Sequence, residues 1–271
     1  MSSAARLRAM LDIGATVLCC TPTYALRLAE VAAEEGIDLA GGRVRRIFVA
    51  GEPGGSIPRV RARIEELWPG ARVVDHHGMT ETGPVSYECP SRTGVLHVIE
   101  SAFLAEVIDT ETGLTVPPGH RGELVLTTLK RVASPLIRYR TGDLVELDST
   151  DHCPCGSRDM ALVGGILGRT DDMLVVRGVN IYPSAVDEVI RGFADIAEYR
   201  VEVDSDRTLS ELRILVEPSP QCSEVDRLTE RLQAELHHVF GMRIAVSRVG
   251  YGELPRFEMK ARRWARKTEA N

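Results

Sequence analysis

Between residues 15 and 83, short apolar runs alternate with segments of helical period, and this alternation constrains the fold more than any other feature of the chain. Ala15–Cys20, Arg46–Ala50 and Ala71–Val74 read as strands. The first stops at Thr21-Pro22. Tyr24–Glu35 then sets Leu26, Leu28, Val31 and Ala32 at helical spacing and ends at Gly36. The second closes in the turn Gly51-Glu52-Pro53-Gly54-Gly55, and Ile57–Leu67 follows as a helix with proline in its first turn. The third runs into His76-His77-Gly78-Met79-Thr80-Glu81. Strands separated by helices imply a parallel sheet, and ligands gather at the carboxyl ends of such strands. The loops 51–55 and 76–83 lie at those ends.

From about 95 to 150 the period changes to that of short strands. Leu104–Ile108, Gly122–Thr128 and Val145–Leu147 are separated by turn-forming Gly, Pro and Asp, as in a small, mostly antiparallel β-subdomain. Gly168-Arg169-Thr170-Asp171-Asp172 is a polar break. Beyond it come a β run at Met173–Arg177, a helix at Pro183–Arg191, strands near 199–204 and 211–217, a helix at 223–239 and a strand at 243–249. This β-α-β-β-α-β order fits a compact α+β domain of roughly 100 residues. The expected organisation is an α/β sheet over 1–94 and a β-subdomain over 95–167, together the domain 1–167, followed by an α+β domain over 168–271.

The chain has 271 residues and is 44% hydrophobic and 27% charged, enough for a core and unlike a disordered chain. Its formal net charge of −6 offers no basic field for nucleic acid. No apolar run is long enough to cross a bilayer, and no signal-peptide h-region follows the N-terminus, so a cytoplasmic, soluble protein is expected. Six cysteines are too few for a disulfide scaffold in a chain this long. Cys19, Cys20 and Cys222 read as small buried hydrophobes.

Five segments resemble, in order, the motifs of the adenylate-forming (acyl-CoA synthetase) superfamily. They are Gly51-Glu52-Pro53, His77-Gly78-Met79-Thr80-Glu81-Thr82-Gly83, Arg138-Tyr139-Arg140-Thr141-Gly142-Asp143, Gly168–Gly178, and Leu254-Pro255-Arg256 with Lys260. Each alone is a common turn or a chance match; chance would not keep all five collinear. The string from Ile166 to Pro183 is especially similar to phenylacetate–CoA ligases. The resemblance implies a truncated adenylate-forming fold, corresponding to the C-terminal part of a typical member.

Forming an acyl-adenylate brings a carboxylate in line with the α-phosphate of ATP, so the site must offset concentrated negative charge. The resemblance implies that Thr80 donates to the α-phosphate and that Glu81 holds Mg²⁺. It places Gly51, Glu52 and Pro53 along the adenine ring, with His76, His77, Gly78 and Met79 beside the nucleotide. It gives Asp143 the ribose hydroxyls, with Arg169 nearby. Lys260 bridges carboxylate and α-phosphate during adenylation, and Asp171 is the hinge of a mobile C-terminal domain. Plain turns, with Thr80 as a cap, and a solvated basic tail around Lys260 are the alternatives. His77 stands where relatives carry an aromatic residue, and Met259 where they carry glycine. The Ser/Thr/Gly-rich loop that wraps the β- and γ-phosphates has no counterpart in this sequence.

Cys153-Pro-Cys155-Gly is a tight sulfur pair, and Cys89 and His97 sit in an earlier β stretch. Three thiolates and one imidazole suffice to close a tetrahedral structural Zn²⁺ site, and related phenylacetate–CoA ligases carry similar residues. His152 is a rival fourth ligand, and unligated cysteines with a core His97 are the alternative. Two functions remain open at this level. One is a ligase that activates an organic, aromatic acid with ATP and passes it to CoA or to a carrier phosphopantetheine. The other is an AMP- or acyl-AMP-binding module, or half of a split ligase whose partner chain supplies the missing part. A carrier protein or a homodimer is compatible with either; nucleic acid and membrane are not expected as partners.

Overall fold

The structure, a computed structural model, describes residues 1–150, 152–204, 211–258 and 260–266. The chain divides into two compact units, Met1–Asp171 and Asp172–Asn271.

The first unit begins with α1 (Ser3–Asp12), β1 (Val17–Cys20), α2 (Pro22–Glu34), β2 (Arg46–Val49), α3 (Pro58–Leu67) and β3 (Arg72–Asp75). The strands pair in parallel in the order β1-β2-β3, as the alternation predicts. Ile47, Val49 and Val73 share one buried core with Leu28 and Val31 of α2 and Val60 and Ile64 of α3. Apolar burial against the two helices thus fixes which way the carboxyl ends of the strands face. β1 is an edge strand whose residues alternate between exposed and half-buried. For that reason Cys19 is exposed and Cys20 half-buried rather than core residues, and Cys222 is half-buried as well.

A two-stranded hairpin, β4 (Gly78–Met79) and β5 (Gly83–Pro84), leads out of the parallel layer. It enters a sheet made of β6 (Ser86–Glu88), β7 (Val95–Val98), β8 (Phe103–Ile108), β9 (Arg121–Thr128), β10 (Tyr139–Leu147) and β11 (Ala161–Arg169). All pairs are antiparallel, in the order β6-β7-β11-β10-β9-β8. Alternate residues of the strands, among them Leu96, Val98, Leu124, Leu126 and Leu162, form the core of this layer. The polar break expected at Gly168 falls later: β11 runs through Arg169, because Gly168 and Arg169 pair with Leu144 and Asp143 of β10. The first half of β11 has no clear strand pattern in sequence, since Gly164 and Gly165, both at positive φ, interrupt its alternation.

The second unit comprises β12 (Leu174–Val176), β13 (Val179–Ile181), α4 (Pro183–Arg191), β14 (Ile196–Asp204), β15 (Glu211–Pro218), α5 (Val225–Phe240), β16 (Ala245–Arg248) and β17 (Trp264–Arg266). Its main sheet has the order β16-β15-β14-β17, with β14 and β15 antiparallel and the outer strands parallel to their neighbours. Leu228, Leu232 and Leu236 recur every fourth residue of α5, and this stripe packs with Val186 and Ile190 of α4 on Val201, Ile214 and Val216. β17 is three residues long and lies in an arginine-rich stretch, which conceals it from any test of periodicity.

Candidate functional site

The loop Gly51-Glu52-Pro53 follows β2, and its acidic side chain has a local task. The Glu52 carboxylate accepts the backbone N–H of Thr23 at 2.8 Å, while the Thr21 hydroxyl accepts that of Tyr24 at 3.1 Å. Two of the unpaired N–H groups at the start of α2 are thereby satisfied, one by a residue of the loop itself. At Gly55 a Cβ would come within 2.4 Å of the Asp75 carboxyl group, so only glycine lets this loop pack on the end of β3. The two loops at the carboxyl ends of the strands are therefore neighbours.

Beneath them lies a buried polar cluster that sequence reasoning missed. Asp75 accepts the Ser56 hydroxyl at 2.5 Å, and its backbone N–H is donated to Glu88 at 3.1 Å; Glu88 in turn pairs with Arg61. Burial pushes the Asp75 carboxyl up to about 6, against the lowering effect of the Ser56 hydrogen bond. An acid at the end of an apolar strand was the one visible signal.

His77 is also buried, and its Nε2 lies 3.0 Å from Oδ2 of Asp143. The other carboxylate oxygen of Asp143 faces Arg169 Nη1 at 3.4 Å. Arg169 continues to Asp171 at 2.8 and 3.2 Å and holds that carboxyl below its usual range by hydrogen bonding. Gly142 has φ +75°, and a Cβ there would sit 2.5 Å from the Arg169 guanidinium. Glycine is thus required both by the bulged backbone and by the arginine stacked over it. His77 Nδ1 is a buried side-chain nitrogen with no hydrogen-bond partner among the described residues.

Thr80 and Glu81 are exposed at the tip of the β4–β5 hairpin, and the Glu81 carbonyl accepts from Arg131. This hairpin replaces the strand-to-helix turn that a capping Thr80 would need. His76, Gly78 and Met79, which flank His77, are half-buried. Gly51, Glu52, Pro53, His76, His77, Gly78, Met79, Thr80, Glu81, Asp143, Arg169 and Asp171 all belong to the first unit. Lys260 belongs to the second, where it is exposed.

Comparison with known proteins matches residues 1–130 to the AMP-binding enzymes and residues 178–267 to the AMP-binding enzyme C-terminal domain. The chain belongs to the AMP-binding, adenylate-forming enzymes. The phenylacetate-coenzyme A ligase of Thermus thermophilus is 34% identical over 267 residues, covering 91% of this chain and 59% of the relative. That of Aromatoleum evansii is 36% identical over 242 residues, covering 87% and 53%. Among solved structures, 2-hydroxyisobutyryl-CoA ligase in the postadenylation state with 2-HIB-AMP superposes with a TM-score of 0.93 at 32% identity, covering 98% of this chain and 57% of that one. The chain thus spans less than two thirds of the length of these relatives.

The chain carries a second constellation on its antiparallel sheet. Cys89 follows β6, His97 lies on β7, and Cys153 and Cys155 lie in the connection between β10 and β11. Cys89 Sγ and Cys153 Sγ are 3.4 Å apart, as are Cys155 Sγ and His97 Nε2, and all four ligand atoms lie within 4.8 Å of one another. A tetrahedral ion with Zn–S bonds of ~2.3 Å requires ligand separations of about 3.5–3.8 Å, so a small contraction of the set would close on zinc. His97 Nδ1 faces the Asp159 carbonyl at 3.1 Å, which fixes the tautomer that leaves Nε2 as the ligand atom. A hydrogen bond from the Cys155 backbone, with others from the neighbouring thiols and His97, lowers Cys153 to about 6, toward the thiolate form that binds metal. His152 is exposed and outside the cluster.

Proposed function

We propose that this chain is the adenylate-handling part of an acid–CoA ligase that activates an organic, aromatic carboxylic acid. The observation that supports this most directly is the buried Asp143, held by His77 and Arg169 beside an exposed Thr80-Glu81 turn. Such an arrangement offers a fixed acceptor for ribose hydroxyls and, on the same unit, a hydroxyl and a carboxylate free to meet phosphate and Mg²⁺. In the first half-reaction the acid's carboxylate oxygen attacks the α-phosphorus of ATP, and the bond to pyrophosphate breaks. In the second, the sulfur of CoA attacks the acyl carbon, its proton passes to solvent, and AMP leaves. Gly51, Glu52 and Pro53 line the adenine with His76, His77, Gly78 and Met79; Lys260 serves the first half-reaction, and Asp171 is the hinge. Likeness to phenylacetate-coenzyme A ligases favours CoA over a carrier phosphopantetheine as acceptor, and a phenyl-substituted acid as substrate.

We further assign Cys89, His97, Cys153 and Cys155 to a structural zinc ion. A set of three sulfurs and one nitrogen leaves no open position, so the metal would hold the sheet and take no part in the reaction. Among the described residues no helix is long and apolar enough to cross a membrane, and free thiols at such close range suit the reducing cytoplasm.

The test supplies the protein with synthetic phenylacetyl-AMP and CoA and follows thioester, then repeats the assay with phenylacetate and Mg-ATP. Thioester in both assays supports the ligase. Thioester from the adenylate alone assigns the chain the second half-reaction, with adenylation depending on a partner chain. AMP binding without thioester in either assay makes it a binding module.

A further inference from the structure

Glu198 of β14 and Glu217 of β15 stand directly opposite one another in the ladder, and both are buried. Like charges in register across a sheet repel, and burial sharpens the cost. Each is neutralised by an arginine from the same stretch of chain. Arg256 Nη1 reaches Glu217 Oε2 at 3.1 Å and its Nη2 reaches Oε1, while the Leu254 backbone N–H adds a third bond at 3.1 Å. Burial works against ionisation of Glu217, yet these bonds hold its carboxyl below the usual range. Arg263 Nε and Nη2 meet the two oxygens of Glu198 at 2.6 and 3.1 Å. Its guanidinium also lies over the rings of Tyr199 and Phe257, 5.1 and 5.7 Å from their centroids.

Between these two anchors lie residues 257–262, and Lys260 is exposed among them. We propose that the pairs Arg256–Glu217 and Arg263–Glu198 are twin clamps that position Lys260, so that Arg256 and Arg263 are positioning residues for adenylation. This rests on the reading of Lys260 as the lysine of the first half-reaction. A lysine on a free tail samples many directions. A lysine on a short segment fixed at both ends samples few, and less entropy is lost when it meets its target. Bidentate pairing suits the purpose because the planar fork fixes direction as well as distance, which an ammonium cannot do.

Hydrogen exchange on the full chain tests the clamp. In Arg256→Met the amides of residues 257, 258 and 260–262 should exchange about tenfold faster or more, while α4, β14 and β15 keep their protection. Arg256→Lys should restore part of the protection only. Unchanged exchange in the segment would overturn the clamp. Where Arg256→Met does not fold, Glu217→Gln carries the same comparison. For the positioning role, Arg256→Met should slow acid-dependent exchange of pyrophosphate into ATP by about 10- to 100-fold in kcat, with KM for ATP kept and thioester formation from acyl-AMP unchanged. Equal loss in both half-reactions would overturn positioning and leave a structural role. Adenylation that is equal in wild type and Lys260→Ala, or absent from the wild type, would sink the lysine reading and the positioning with it. Hydrogen exchange decides the clamp separately in either case.

Discussion

The two units present their charges in opposite ways. In the first, Asp143 sits within a sheet, buried, with each oxygen engaged by a different side chain. In the second, Lys260 is exposed on a short segment bounded by Arg256 and Arg263, each paired with a buried glutamate. Under the proposed function, the difference would let one chain serve a two-step reaction. A group that must recognise the nucleotide in both steps benefits from complete immobility. A group needed in one step benefits from an exposed side chain, provided that its base is fixed.

The contrast is broken most sharply by removing each charge in turn. Lys260→Ala should reduce adenylation by about 100- to 1,000-fold, as loss of a donor to developing charge does, and leave AMP affinity unchanged in calorimetry. Asp143→Ala should instead weaken AMP binding by about 1.5–3 kcal/mol, the worth of hydrogen bonds to a charged group. Equal affinity in Asp143→Ala and wild type would refute its role. The zinc assignment sharpens the contrast by testing how far the first unit depends on its own staple. Purified protein never exposed to chelator should hold close to one zinc per chain, and Cys153→Ser should cost about 2 kcal/mol of stability in the first unit without altering AMP contacts. Metal analysis that finds none would remove the site.

The smallest effect concerns Asp75. Its folded carboxyl titrates near 6, above the ordinary carboxylate value of 3.8, so the folded state keeps its proton longer than the unfolded state does. The burial penalty therefore grows as pH rises from about 4 to 6 and is complete above that window. Between pH 5 and pH 8 this group alone should cost about 1 kcal/mol of stability, a difference that Asp75→Asn should abolish in denaturant titrations.

Much of this was legible in the sequence, and what was not has physical reasons. The parallel layer could be read because apolar period and turn residues agree at every boundary, and Pro183–Arg191 emerges with the bounds that its proline and amphipathic spacing suggest. The cysteine cluster could be read because sulfur chemistry is carried by few residue types. The pairing of His77 with Asp143 could not, since it joins residues far apart in sequence through the packing of two sheets. The Nε2 of His77 is directed at Asp143, a contact that no motif announces. Glu198 and Glu217 were equally silent. Buried acids look like surface acids until a register places them face to face, and the motif that contains Arg256 says nothing of the partner its arginine meets.

The position of β11 between β7 and β10 carries a consequence for the order of events during folding. Hairpins alone can build β10 on β9 and β9 on β8, but β11 must also find β7 across a long intervening chain. Cys89 and Cys153, 64 residues apart, meet at that seam. The costly event in the first unit is therefore the closure of this loop, and contacts so distant in sequence make for slow folding. A thiolate-bound ion at the seam would tether the two ends before the strands align, so its presence would be felt in the rate of folding as well as in the final stability.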